Sequence, residues 1–144
     1  MTIVIERKHE HFVGEVSGID CRQAVTKEDG QLLNEALDQF GVLIFRKQAF
    51  TDLEQITFSK TFGEIELAKG GNVTKDKDRR LDIQMADVSN LDKYGNLLGR
   101  SDRRRMFNLG NRLWHSDSSY RVIPAKCSLP VSYTHLRAHE TTVY

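Results

Sequence analysis

Apolar positions recur at two periods along this chain. In TKEDGQLLNEALDQFG, residues 26–41, Leu32, Leu33, Ala36, Leu37 and Phe40 return near helical spacing and Gly41 supplies a stop. The pattern predicts a helix with one buried face. The run VLIFRK at 42–47 is short and wholly apolar at its start, which predicts a buried strand. Thr51 followed by Glu54 makes a capping box ahead of Ile56, Phe58, Phe62 and the stop at Gly63, so a second helix begins there. Upstream, FVGEVSGIDC at 12–21 reads as short strand pieces broken by Gly14 and Gly18. Downstream, LDIQMADVSN alternates from Leu81 to Val88 with the period of a half-buried strand. NLDKYGN at 90–96 then reads as a turn punctuated by Gly95 and Asn96. No internal repeat appears, which argues against a solenoid.

Composition narrows the class. The 144 residues fit one ordinary domain, and 39% hydrophobic with 28% charged residues is the balance of a soluble globular protein. No apolar run approaches the roughly 20 residues of a bilayer span. The start MTIVIERKHEHF turns charged too early for a secretory signal, so a cytoplasmic location without membrane contact is expected. Cys21 and Cys127 are far apart and form no C-x-x-C pair, which points to reduced buried thiols. The net charge is +1, yet between Leu67 and Arg112 there are eleven Lys/Arg against six Asp/Glu. Nucleic-acid binding is one reading of such a segment. Asp76, Asp78 and Asp102 interrupt the basic runs and no aromatic platform accompanies them, which favours a solvated loop and no nucleic-acid partner.

The candidate chemistry lies in RLWHSDSSYRVIP at 112–124. On an extended strand, residues i and i+2 share a face about 7 Å apart at the backbone, so His115 and Asp117 can converge on one ion if Ser116 points away. Imidazole plus carboxylate suits iron(II), and a further histidine would complete a facial triad with open positions. Taken alone, His-x-Asp is more often an exposed hydrogen-bonded pair than half of a metal site.

Its surroundings add to it. Asn111, Leu113, Trp114, His115, Asp117, Ser118, Ser119 and Tyr120 resemble the metal-binding stretch of the TauD/TfdA family of iron(II)/2-oxoglutarate-dependent oxygenases. GEVSGIDCRQ at 14–23, ALDQFGVLIFRKQ at 36–48 with FTDLEQITFSKTFGEIE at 50–66, and ADVSNLD at 86–92 are similar to the same family, in the same order. The WHSDSS wording sits nearest the herbicide-dioxygenase branch. This resemblance implies a β-rich fold with flanking helices: the N-terminal portion of a double-stranded β-helix, or jelly roll, of the clavaminate synthase-like kind. It implies iron(II) on His115 and Asp117, 2-oxoglutarate and dioxygen as cosubstrates, and ascorbate as an accessory reductant. The implied reaction is hydroxylation of a small organic acid, such as an aryloxyalkanoate or sulfonate, with release of succinate and carbon dioxide. Asn111 matches a polar pocket residue, a turn-ordering role being its equal alternative. Lys69 falls where relatives place a group that contacts the substrate's anionic end, a surface lysine being the plainer reading. Trp114 is expected to pack beside the site.

The resemblance stops at Pro130. The family's second histidine ligand and its arginine for 2-oxoglutarate lie far downstream and have no counterpart here, so the full-length parent is the expected enzyme and the fragment itself is expected to be inactive. Residues 1–130 are expected to be the N-terminal part of the oxygenase domain. Residues 131–144, VSYTHLRAHETTVY, resemble translated sequencing adapter, so His135 and His139 are not taken as ligands. His9 and His11 are expected to stand in solvent outside the site. Homo-oligomerisation of the parent stays open. Two other readings remain: a non-catalytic jelly-roll module that binds a small molecule or metal, and a polyanion-binding protein built on the basic loop.

Overall fold

The computed structural model describes residues 2–68, 74–117 and 121–131. Lys69, His135 and His139 lie outside them.

Three short strands form one sheet in the order β1-β2-β3: β1 (Val4–Arg7), β2 (Gly14–Ser17) and β3 (Leu43–Phe45). β1 is an addition to the sequence reading, because VIER is too short to display an alternation. It pairs antiparallel with β2, Val4 opposite Ser17 and Arg7 opposite Gly14. β3 lies parallel on the other side, so the chain must cross over between β2 and β3, and α1 (Lys27–Phe40) makes that crossing. Gly18 leaves β2 at φ +77, where an added Cβ would run into the Thr2 carbonyl oxygen.

Both expected helices form at their signalled starts. Thr26 caps α1 by accepting the Asp29 N–H, and Gly41 ends it in the left-handed region at φ 68, donating to the Leu37 carbonyl. Its buried face is Gly30, Leu33, Ala36 and Phe40. Leu32 is turned aside and is 41% exposed, so the apolar face is narrower than the sequence suggested. α2 (Asp52–Ser59) carries the reciprocal capping box: the Glu54 N–H donates to Thr51 Oγ1 at 3.3 Å and the Thr51 N–H donates to Glu54 Oε2 at 2.7 Å. It ends at Ser59, short of Phe62, because the Thr61 and Phe62 N–H groups close i→i−3 bonds to Phe58 and Ser59. Phe62 nevertheless reaches the core. Its ring stands 5.7 Å from that of Phe58, which also meets Phe45 at 5.3 Å and Phe50 at 5.8 Å. Val16, Cys21, Leu33 and Phe58 form the buried centre, and Leu129 packs against it from far along the chain.

The strand expected from Leu81 to Val88 is not formed. Asp82 takes the Gln84 N–H on its own carboxylate at 2.8 Å, and the Arg79 guanidinium takes the carbonyls of Ala68, Asp82 and Met85. Side chains thus occupy backbone groups that a ladder would need. The Leu91–Leu97 bridge with Gly95 at φ 83 does form the expected turn, held by Asp92 accepting from the Tyr94 and Asn96 N–H groups. A third helix, α3 (Arg103–Asn108), is capped by Asp102 and runs into a 3-10 turn at Leu109–Arg112. Among the described residues helix therefore outweighs strand, against the β-rich expectation. What is present is a small three-stranded sheet with helices.

Candidate metal centre

His115 and Asp117 follow the 3-10 turn in a segment with no strand partner among the described residues, so the strand argument for their convergence fails. They converge by another route. The Leu113 carbonyl lies 2.7 Å from His115 Nδ1, which fixes the ring with Nε2 turned toward Asp117, 3.0 Å from Oδ1. Two ligand atoms each about 2.1 Å from an ion and at a right angle to one another would be about 3.0 Å apart. The pair therefore has the spacing of neighbouring ligands. Asp117 Oδ2 in turn accepts from the Ser128 hydroxyl at 2.6 Å.

Without an ion the same atoms form a charge pair. The Leu113 carbonyl first, and then the Asp117 carboxylate, raise the His115 pKa above its ordinary 6.5. Both side chains are about half exposed, 43% for His115 and 56% for Asp117. Trp114 is fully exposed, so among the described residues its expected packing role is not realised; Leu113, Val122 and Ile123 are similarly bare. Among the described residues no third His, Cys, Asp or Glu joins the pair. Asn111 is exposed in the 3-10 turn four residues ahead of His115, and Lys69 lies outside the described residues.

Part of the basic segment is wired internally. Arg80 forms a two-point pair with Asp87 at 2.8 and 2.9 Å. Arg104 pairs with Asp102 in the same way, holding that carboxyl down to about 2 through the guanidinium and the backbone N–H of Arg104. These guanidinium groups order loops, in keeping with the solvated-loop reading. Cys21 and Cys127 are both free; Cys21 is buried, which pushes its thiol up to about 12, while Cys127 is only half-buried.

The pair lies inside a segment with known relatives. The profile described as "Taurine catabolism dioxygenase TauD, TfdA family" matches residues 6–129. The chain belongs to the TauD/TfdA family. It is 33% identical over 131 residues to the alpha-ketoglutarate-dependent 2,4-dichlorophenoxyacetate dioxygenase of Cupriavidus pinatubonensis, covering 90% of this chain and 45% of that protein. It is 31% identical over 96 residues to the (S)-phenoxypropionate/alpha-ketoglutarate-dioxygenase of Sphingobium herbicidovorans, covering 65% and 28%. Among solved structures, AAD-2 in complex with Mn(II) and N-oxalylglycine superposes with a TM-score of 0.80 at 50% identity, over 87% of this chain and 43% of that one. The family resemblance carried by the motifs is thus borne out. This TauD/TfdA chain spans under half the length of the curated relatives it matches. None of its helices among the described residues is long and apolar enough to cross a membrane.

Proposed function

We propose that residues 1–130 form part of an iron(II)/2-oxoglutarate-dependent dioxygenase with a jelly-roll domain that hydroxylates a small organic acid, releasing succinate and carbon dioxide. The observation that carries this reading is the 3.0 Å approach of His115 Nε2 to Asp117 Oδ1 within a segment matched by the TauD/TfdA profile. Iron(II) held there would, with 2-oxoglutarate and dioxygen, supply the oxidising power for insertion of oxygen into a C–H bond. The chain's own residues do the rest. Leu113 holds the His115 Nδ1–H, so the neutral ring presents the Nε2 lone pair. Asp117 would contribute a negative oxygen beside it. A third ligand comes from elsewhere in the parent protein. N-oxalylglycine, bound by AAD-2, has the 2-oxo-dicarboxylate skeleton with N–H in place of a methylene, which supports 2-oxoglutarate as the cosubstrate.

Aryloxyalkanoates are the favoured substrates over sulfonates, because the named relatives act on 2,4-dichlorophenoxyacetate and (S)-phenoxypropionate. Lys69 would pair with the substrate carboxylate and Asn111 would orient it by hydrogen bonding. The test is a chimera that joins residues 1–129 to the C-terminal part of the Cupriavidus relative. With iron(II), 2-oxoglutarate and 2,4-dichlorophenoxyacetate it should form succinate, and His115→Ala or Asp117→Ala should return it to the enzyme-free blank. The 144-residue chain alone should stay at that blank. A folded chimera that forms no succinate with any aryloxyalkanoate or sulfonate offered would sink the reading.

A further inference from the structure

The Ser128 hydroxyl approaches Asp117 Oδ2 to 2.6 Å, the length of a charge-assisted O–H···O⁻ bond. That bond engages the carboxylate oxygen that faces away from His115, leaving Oδ1 as the atom beside Nε2. A carboxylate with one oxygen so engaged presents the other to an ion singly, whereas an unrestrained one can rotate or chelate through both. Ser128 does not stand alone. Its neighbour Leu129 is fastened to α2 by Gln55 Nε2, which donates to the Leu129 carbonyl at 3.0 Å, and the Leu129 side chain packs on the core. Lys126 is fastened to α1 through Asn34 Oδ1 at 2.7 Å, and Asn34 in turn donates to the carbonyls of Gly30 and Thr61. The stretch 126–129 is thus a stay running from the two helices to the carboxylate.

We propose that Ser128 is a positioning residue for the metal centre: its hydroxyl restrains Asp117 to one-oxygen binding, and Gln55 and Lys126 hold Ser128 in place to do so. The inference rests on His115 and Asp117 binding a metal. Outer-shell hydrogen bonds of this kind are worth about 10- to 100-fold in metal affinity, and the exposure of this one places it at the lower end.

The test is titration with Mn(II) of the chimera of residues 1–129 with the C-terminal part of the Cupriavidus relative, which supplies the remaining ligand, followed by the loss of the free-ion EPR signal, with the site defined as the binding that His115→Ala abolishes. Ser128→Ala should raise the half-saturating Mn(II) concentration about tenfold. Ser128→Thr and Ser128→Val have nearly the same volume and differ in the hydroxyl, so Thr should bind as wild type and Val as Ala. Far-UV circular dichroism should be the same for all four proteins, since Ser128 lies outside the helices and strands. Equal affinity in the Thr and Val variants would overturn the assignment to Ser128 while leaving the metal pair intact. A folded chimera with no His115-dependent Mn(II) binding would overturn the metal pair itself and the inference with it.

Discussion

Every buried residue among the described ones lies between Gly14 and Phe58, whereas none from Thr74 to Val131 is buried. The first region solves its backbone problem with ladders and capped helices and removes apolar surface from water. The second buries no residue fully and has one short helix and one isolated bridge, and side chains brace much of its backbone: Arg79 on three carbonyls, Asp82 and Asp92 on the N–H groups two to four residues ahead. Apolar burial and polar bracing are thus segregated along the chain. The candidate metal pair belongs to the second kind of structure but is tied back to the first.

Three experiments bear on that contrast, beginning with the largest expected effect. Leu33 is completely buried, so Leu33→Ala should destabilise the chain by about 2–5 kcal/mol in urea unfolding. Leu97→Ala, at a 67% exposed position, should change it by less than about 0.5 kcal/mol. Equal losses would show that the two regions share one core. Next, Arg79→Met removes the donor shared by Ala68, Asp82 and Met85 and should cost about 1–3 kcal/mol locally. Amide hydrogen exchange should quicken around residues 74–87 and stay unchanged in α1; a uniform rise would refute the separation.

The smallest effect is one of pH. His115 has a raised folded pKa, so the Leu113 carbonyl and, after it, the Asp117 carboxylate add stability that is full below the unfolded value of about 6.5 and disappears as pH rises through the folded value. Metal binding needs the neutral ring and runs the opposite way, strengthening as the proton leaves. An NMR titration of the His115 ring should give a midpoint above the ordinary 6.5. Asp117→Asn should lower the midpoint, though only in part, because the Leu113 carbonyl is the larger cause.

The legible parts of the fold were those encoded locally. Thr51 and Glu54 announced α2, and Gly41 announced the end of α1, because caps need only neighbouring residues. The alternation from Leu81 to Val88 misled, since an alternating pattern shows that a strand could form but not whether a partner is there to pair with it. His115 and Asp117 were legible as a pair, although the agent of their convergence is the Leu113 carbonyl and not a strand. Ser128 was not legible at all. Eleven residues separate it from Asp117, and a lone serine in AKCSLP carries no periodic or motif signal. Lys126 and Gln55 were hidden for the same reason, their partners being 92 and 74 residues away.

Those separations have a consequence in time. Contacts within β1–α2 close short loops and can form as soon as about sixty residues have been synthesised, but the ties from Gln55 to Leu129 and from Asn34 to Lys126 must wait for the end of the stay. At about 5–20 residues per second, the helices are present for several seconds before the carboxylate is held. Asp117 itself precedes Ser128 by eleven residues, about 0.5–2 s of synthesis, so the carboxylate emerges before the hydroxyl that will hold it.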